Sequence, residues 1–229
     1  MLCHSSKYEE FLTSAQSCLK TFYGDNVQKS VDFGRIVTGP HCSRLQGLLE
    51  GNPGRVVCGG KVDINDKYVE PTIIADVKLD SKLMTEEIFG PLLPVMQYTN
   101  IEDAIAIINS ENLRKPLALY IFSKDRQLID KVTSAVSSGG VIINDTIFHV
   151  MNPYIPFGGV GASGMGGYHG KYKTSRQHLH TYLQDSEVLI ILASMHTKKP
   201  TSQTYYQTIS CRILLVRSIL TPPFHHAQR

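Results

Sequence analysis

Between residues 99 and 145 the chain switches repeatedly between two hydrophobic periods, and this constrains its fold more than any other feature. Ala104, Ile105 and Ile108 recur at helical spacing after Thr99-Asn-Ile-Glu102, a capping-box pattern. Leu117-Ala-Leu-Tyr-Ile-Phe is a continuous apolar run of strand length. Leu128, Ile129, Val132 and Val136 return to the helical period, and Gly139-Gly140 ends it. Val141-Ile-Ile-Asn-Asp then reads as a second strand. Helices alternating with short apolar strands form an α/β layer around a largely parallel sheet.

The first hundred residues fit the same class. Ser6-Lys-Tyr-Glu9 has the pattern of a capping box. Tyr8, Phe11, Leu12, Ala15, Leu19 and Phe22 follow on one helical face, and Gly24 stops it. A second helix is expected over 41–50, through Leu45, Leu48 and Leu49, closed by Gly51. Val56-Val-Cys, Tyr68–Ala75 and Leu92–Tyr98 are strand-like. Pro71 inside the second of these suits an edge or a strand start.

Composition changes abruptly near residue 172. Residues 1–171 carry 16 Lys and Arg against 18 Asp and Glu, whereas residues 172–229 carry 7 against 2. All 18 glycines lie at or before Gly170. The expectation is a body over 1–171 and a divergent, poorly ordered basic tail over 172–229. Its charge is too thin for a nucleic-acid site. Val188–Ala193 and Ile213–Leu220 are short apolar elements within it, far below a membrane span. Met1-Leu-Cys-His lacks the pattern of a signal peptide. Five cysteines without zinc-ligand spacing, an odd number at low density, point to a reducing, cytoplasmic setting and to no metal.

Residues 157–170, FGGVGASGMGGYHG, contain Gly159-Val-Gly161-Ala-Ser-Gly164, a literal dinucleotide fingerprint with Asp185 about 20 residues on. The context argues against that use. A fingerprint follows a strand directly and opens a helix whose amides hold the pyrophosphate. Here about a dozen residues, including Pro153 and Pro156, separate it from the strand ending near Asp145. Three more glycines follow Gly164 within six residues. A loop this rich in glycine suits a tight backbone path instead.

EEIFGPLLPV, residues 86–95, resembles a motif of the aldehyde dehydrogenase superfamily. PFGGVGASGMG, residues 156–166, is similar to that family's glycine loop. Tyr168-His-Gly-Lys171 and Leu117-Ala-Leu-Tyr resemble its class 3 branch. The likeness runs from residue 1 to about 171 and corresponds to the C-terminal half of the family's chain. It implies the catalytic-domain portion of an aldehyde dehydrogenase-like α/β fold, and oxidation of aldehydes to carboxylic acids with NAD or NADP. In that chemistry a cysteine thiolate forms a thiohemiacetal, and a glutamate activates the water that hydrolyses the thioester. The resemblance also implies a homodimer.

By the same resemblance Glu87 matches the carboxylate that bonds the nicotinamide ribose, and Phe89 the ring at that end of the cofactor. Phe157 matches a residue beside the substrate channel, with core packing as the alternative. Asn144–His149 matches a segment near the active-site mouth, or is a strand end with a turn. His169 is read as a hydrogen-bonded structural His rather than a proton relay. The family's nucleophile stands in a Gly-Gln-x-Cys context before a strand resembling Met1-Leu-Cys-His. This places the nucleophile, the general base and the oxyanion asparagine upstream of Met1, leaving no catalytic residue in the chain. Cys3, Cys18, Cys42, Cys58 and Cys211 are each expected to be inert thiols. A non-catalytic isoform pairing with full-length subunits is the alternative function.

Overall fold

The computed structural model describes residues 1–51, 53–110, 113, 115–169, 180–182 and 189–193. Strand β1 (Leu2–His4) runs through a 3-10 turn, Ser5–Lys7, into helix α1 (Tyr8–Tyr23). The expected capping box at Ser6 does not form. The His4 ring accepts from the Ser6 amide instead, at 3.2 Å, because the turn comes one step before the helix. Gly24, at φ 73, ends α1 with its amide on the Lys20 carbonyl, as its freedom at positive φ allows. The face buried by α1 is Tyr8, Phe11, Leu12, Ala15 and Leu19.

Helix α2 (Gly39–Glu50) begins two residues earlier than expected, with Pro40 in its first turn, where the missing amide has no intrahelical partner to lose. Strands β2 (Arg55–Cys58), β3 (Val62–Asp63), β4 (Tyr68–Val69) and β5 (Thr72–Ala75) follow. The expected single strand Tyr68–Ala75 is thus two, divided at Glu70-Pro71, and β5 starts just past the proline. Tyr8 ties α1 to this region. Its hydroxyl donates to Asp76 Oδ1 at 3.1 Å and accepts from the Asp76 amide at 2.7 Å.

Beyond the short helix α3 (Lys82–Thr85), the apolar run 92–98 divides at Val95 into β6 (Leu92–Pro94) and β7 (Met96–Tyr98). These serve different sheets. Strand β6 lies parallel to β5 in a three-stranded sheet ordered β2-β5-β6, and β7 lies parallel to β1.

The alternating region folds as read: α4 (Ile101–Ile108), β8 (Ala118–Phe122), α5 (Arg126–Ala135) and β9 (Gly140–Ile143). The capping box at Thr99 does not form, since Asn100 is the first residue of the cap and makes no side-chain bond to the helix amides. Asp125 caps α5, accepting from the amides of Gln127 and Leu128. Helix α5 ends at Ala135, before Gly139-Gly140, and Gly140 opens β9.

A second short helix, α6 (Phe148–Met151), follows β9. Two strands of the segment expected as a tail are described, β10 (His180–Tyr182) and β11 (Leu189–Ala193). The rest of that segment, with Asp185, Cys211 and Ile213–Leu220, lies outside the described residues. The main sheet is ordered β10-β9-β8-β11-β1-β7, and every pairing is parallel except the two made by β11.

Both faces of this sheet are covered. Leu119 and Ile121 of β8 join Ile108, Ile129 and Val132 from α4 and α5. Ala118, Tyr120 and Phe122 join Phe11, Leu12 and Ala15 of α1. Each fully buried Leu or Ile here contributes roughly 1.5–3 kcal/mol. A sheet buried on both faces explains why β8 reads as a continuous apolar run.

Candidate functional site

The turn after α3 carries Glu87 and Phe89. Its backbone is fastened on one side by Ile88, which is buried, and on another by Gly90, whose position leaves no space beside Leu45. Arg44 of α2 supplies the third fastening. One guanidinium nitrogen donates to Glu86 Oε1 at 3.1 Å and the other to the Ile88 carbonyl. The fork geometry of arginine suits two acceptors at once. Glu87 is half-buried, and Phe89 is 41 % exposed at φ 43. A bulky residue at positive φ persists only where its surroundings over-determine it, and such strain gathers at ligand-holding sites.

A second group forms where β8 and β9 end. Asn144, at φ 58, closes β9 by accepting from the Ser123 amide at 2.9 Å and donating to the Ser123 carbonyl at 3.0 Å. Asp145, Thr146 and His149 after it are buried. The His149 ring sits between Tyr120 and Phe157, with centroids 5.8 and 5.1 Å away. Neither of its nitrogens, nor Thr146 Oγ1, has a hydrogen-bond partner among the described residues. Burial holds the imidazole neutral and lowers its pKa to about 4.

The glycine loop closes on itself. Phe157 and Tyr168 exchange backbone hydrogen bonds, 3.1 and 2.6 Å, as an antiparallel bridge. Val160 and Ser163 close the inner turn through the Ser163 hydroxyl, which accepts from the Val160 amide at 2.9 Å. At Gly159 a Cβ would stand 2.1 Å from the Ser163 carbonyl oxygen, so the chain's own backbone occupies the space that glycine leaves. After Val160 comes a three-residue 3-10 turn, Gly161–Ser163, and not the N-terminus of an α-helix. His169 is anchored through Nδ1 to the Ile155 carbonyl at 2.8 Å.

Glu87 and Phe89 are thus anchored on α2, and Phe157 is anchored on the β8–β9 edge through His149. Arg44 is a member of the site that sequence reading missed. It lies 42 residues from Glu86, and no spacing rule links a helix arginine to a turn so distant.

Burial raises the thiol pKa of Cys3 to about 12, and it raises those of Cys18, Cys42 and Cys58 as well. Lys67 opposes the shift at Cys42 and the N-terminal amine opposes it at Cys3, and burial outweighs both. Among the described residues no three His, Cys, Asp or Glu gather as metal ligands, and no helix is long and apolar enough to cross a membrane.

The family model described as "Aldehyde dehydrogenase family" matches residues 1–186, past the composition change at 172. The chain is 45% identical over 171 residues to a dog protein named "Aldehyde dehydrogenase, dimeric NADP-preferring", covering 75% of this chain and 37% of that one. It is 41% identical over 216 residues to aldehyde dehydrogenase family 3 member B1 of rat, covering 94% of this chain and 44% of the relative. A solved structure described as the substrate-bound state of Staphylococcus aureus AldH matches with TM-score 0.71 at 47% identity, over 75% of this chain and 37% of its own. The chain therefore spans well under half the length of the relatives it matches.

Proposed function

We propose that this chain, which belongs to the aldehyde dehydrogenase family, forms part of the catalytic domain of an NAD- or NADP-dependent enzyme that oxidises aldehydes to carboxylic acids. The observation that carries this reading is the turn 86–90, fastened by Arg44 and carrying the half-buried Glu87 two residues from the exposed Phe89. A carboxylate acceptor near a ring fits a nicotinamide ribose. Glu87 would accept hydrogen bonds from its two hydroxyls, and Phe89 would pack against the same end. NAD or NADP, when bound, supplies the hydride acceptor. Phe157 borders the aldehyde channel, backed by the neutral His149. The nucleophilic thiolate is none of the four described cysteines, since burial keeps each of them protonated. The reading also takes two copies as a dimer, in line with the dimeric relative, and a cytoplasmic setting, in line with four unpaired thiols.

The test uses the full-length polypeptide containing these residues. Glu87→Gln is expected to slow NAD(P)H formation by about tenfold or more, since a hydrogen bond to a charged group contributes roughly 1.5–3 kcal/mol. Unchanged kcat and KM for the cofactor would remove Glu87 from the site.

The protonated thiols also favour a second reading, a non-catalytic isoform that pairs with full-length subunits. It requires that the isolated chain produce no NAD(P)H from any aldehyde and co-elute with a full-length subunit. Turnover by the isolated chain would exclude it.

A further inference from the structure

The turn that leads from β9 into α6 departs from local preference at three points. Asn144 and Ile147 both stand at positive φ, 58 and 66, and for a β-branched residue such as Ile147 that region is a true outlier. Ile147 also opens α6 without a side-chain cap. His149 then buries both ring nitrogens with no partner among the described residues. A leucine would fill a similar space with no polar atom to desolvate. Departures of this kind, without local compensation, gather where a protein serves function rather than stability.

The turn achieves the placement of one ring. A Cβ at Gly140 of β9 would stand 3.2 Å from His149 Cδ2, so the imidazole uses the space that this glycine leaves. Tyr120 of β8 meets the imidazole edge-on, at 70°. Phe157 packs on it at a tilt of 60°. His149 is thus a spacer between two strands of the sheet and the Phe157 ring. The backbone of Phe157 is held separately, by its bridge to Tyr168, and a Cβ at the adjoining Gly158 would meet the Gly166 carbonyl oxygen at 2.2 Å. With that backbone fixed, the reach of the ring is set by what it packs on, because close-packed contacts transmit a displacement.

We propose that His149 is a positioning residue that determines specificity. Its ring, seated over Gly140, sets how far the Phe157 ring stands into the aldehyde channel, and so how bulky an aldehyde is accepted. The role is one of shape and moves no proton. It rests on the reading of Phe157 as a channel residue.

Gly140→Ala tests the spacer without altering either ring. Gly140 lies outside the left-handed region, so alanine adds only its methyl group, and His149 must give way by a few tenths of an ångström. In this chain, isotope-labelled ring resonances of Phe157 should shift in Gly140→Ala, while those of Phe33, packed on Tyr23 and Tyr68, should not. Unmoved Phe157 resonances would overturn the proposal whatever the enzyme does. In the full-length polypeptide, Gly140→Ala should raise the KM for a naphthaldehyde relative to that for propanal by about threefold or more, with kcat for propanal little changed, as expected of residues in contact. In a His149→Ala background the same Gly140→Ala change should leave that ratio as it is. An equal effect with and without His149 would mean that the methyl group acts by another route. Shifted Phe157 resonances with an unchanged KM ratio would overturn the proposal differently, by showing that the spacer works but Phe157 stands away from the channel.

Discussion

The imidazole of His149 stands 5.1 Å, centroid to centroid, from the ring of Phe157, and it is buried there without a hydrogen-bond partner among the described residues. This pairing makes stability depend on pH. The folded-state pKa is about 4 and the ordinary value is 6.5. Above pH 6.5 the ring is neutral in both states and contributes no pH dependence. As pH falls from 6.5 towards 4 the unfolded chain takes up the proton first. Stability therefore drops across that window, by roughly 3 kcal/mol in all. Urea midpoints between pH 7 and 4.5 check this. His149→Leu should flatten the upper part of the profile, and a profile unchanged by the substitution would exclude His149 as its source.

Gly139 holds the glycine loop against the sheet edge. A Cβ there would lie 2.2 Å from the Gly158 carbonyl oxygen and 2.5 Å from that of Leu117. Gly139→Ala should therefore destabilise by roughly 1–3 kcal/mol, the range for forcing atoms into packed space. Gly47, in the exposed middle of α2, has nothing within 4 Å of an added Cβ. Gly47→Ala should stabilise by about 0.5–1 kcal/mol through helix propensity alone. Opposite shifts in the urea midpoint are the expected result.

Arg44 fastens the turn that carries Glu87 and Phe89. Arg44→Lys keeps the charge but cannot reach Glu86 and the Ile88 carbonyl as a fork. Amide exchange at 87–90 should quicken by about tenfold, a local opening, with little change in global stability. In the full-length polypeptide the same change should raise the KM for the cofactor more than it lowers kcat. Exchange identical to that of the unaltered chain would show that the turn holds itself.

The thiols should be slow. With Cys3 pushed up to about 12, and Cys18, Cys42 and Cys58 raised by burial, few thiolates exist at pH 7.5. Site-resolved alkylation by iodoacetamide in the native chain should run about tenfold or more below the rate in urea at all four. A fast native reaction at any one of them would mark a nucleophile that the structure places wrongly.

The sequence alone determined what depends on short-range pattern. The helical faces of α1 and α5 follow from apolar residues three and four apart. The buried strand β8 follows from an apolar run, and the rejection of the glycine fingerprint follows from its missing strand and helix. Hydrophobic period and turn chemistry act over a few residues, so they are visible without a partner. Helix starts were less legible. At Ser6 and Thr99 the side-chain pattern was present, but the chain entered each helix by another path, because the cap geometry depends on the preceding strand.

Tertiary structure decided everything that required a distant choice. Residues 92–98 read as one strand, yet the break at Val95 sends one half to β5 and the other to β1. Arg44 meets Glu86 only because α2 folds back over the turn. His149 loses its water only when Phe157 and Tyr120 close around it. Above all, the apolar run 189–193 has no periodicity that names its neighbours. Its pairing with β1 and β8 rests on backbone hydrogen bonds, which carry no side-chain signature to be read in advance.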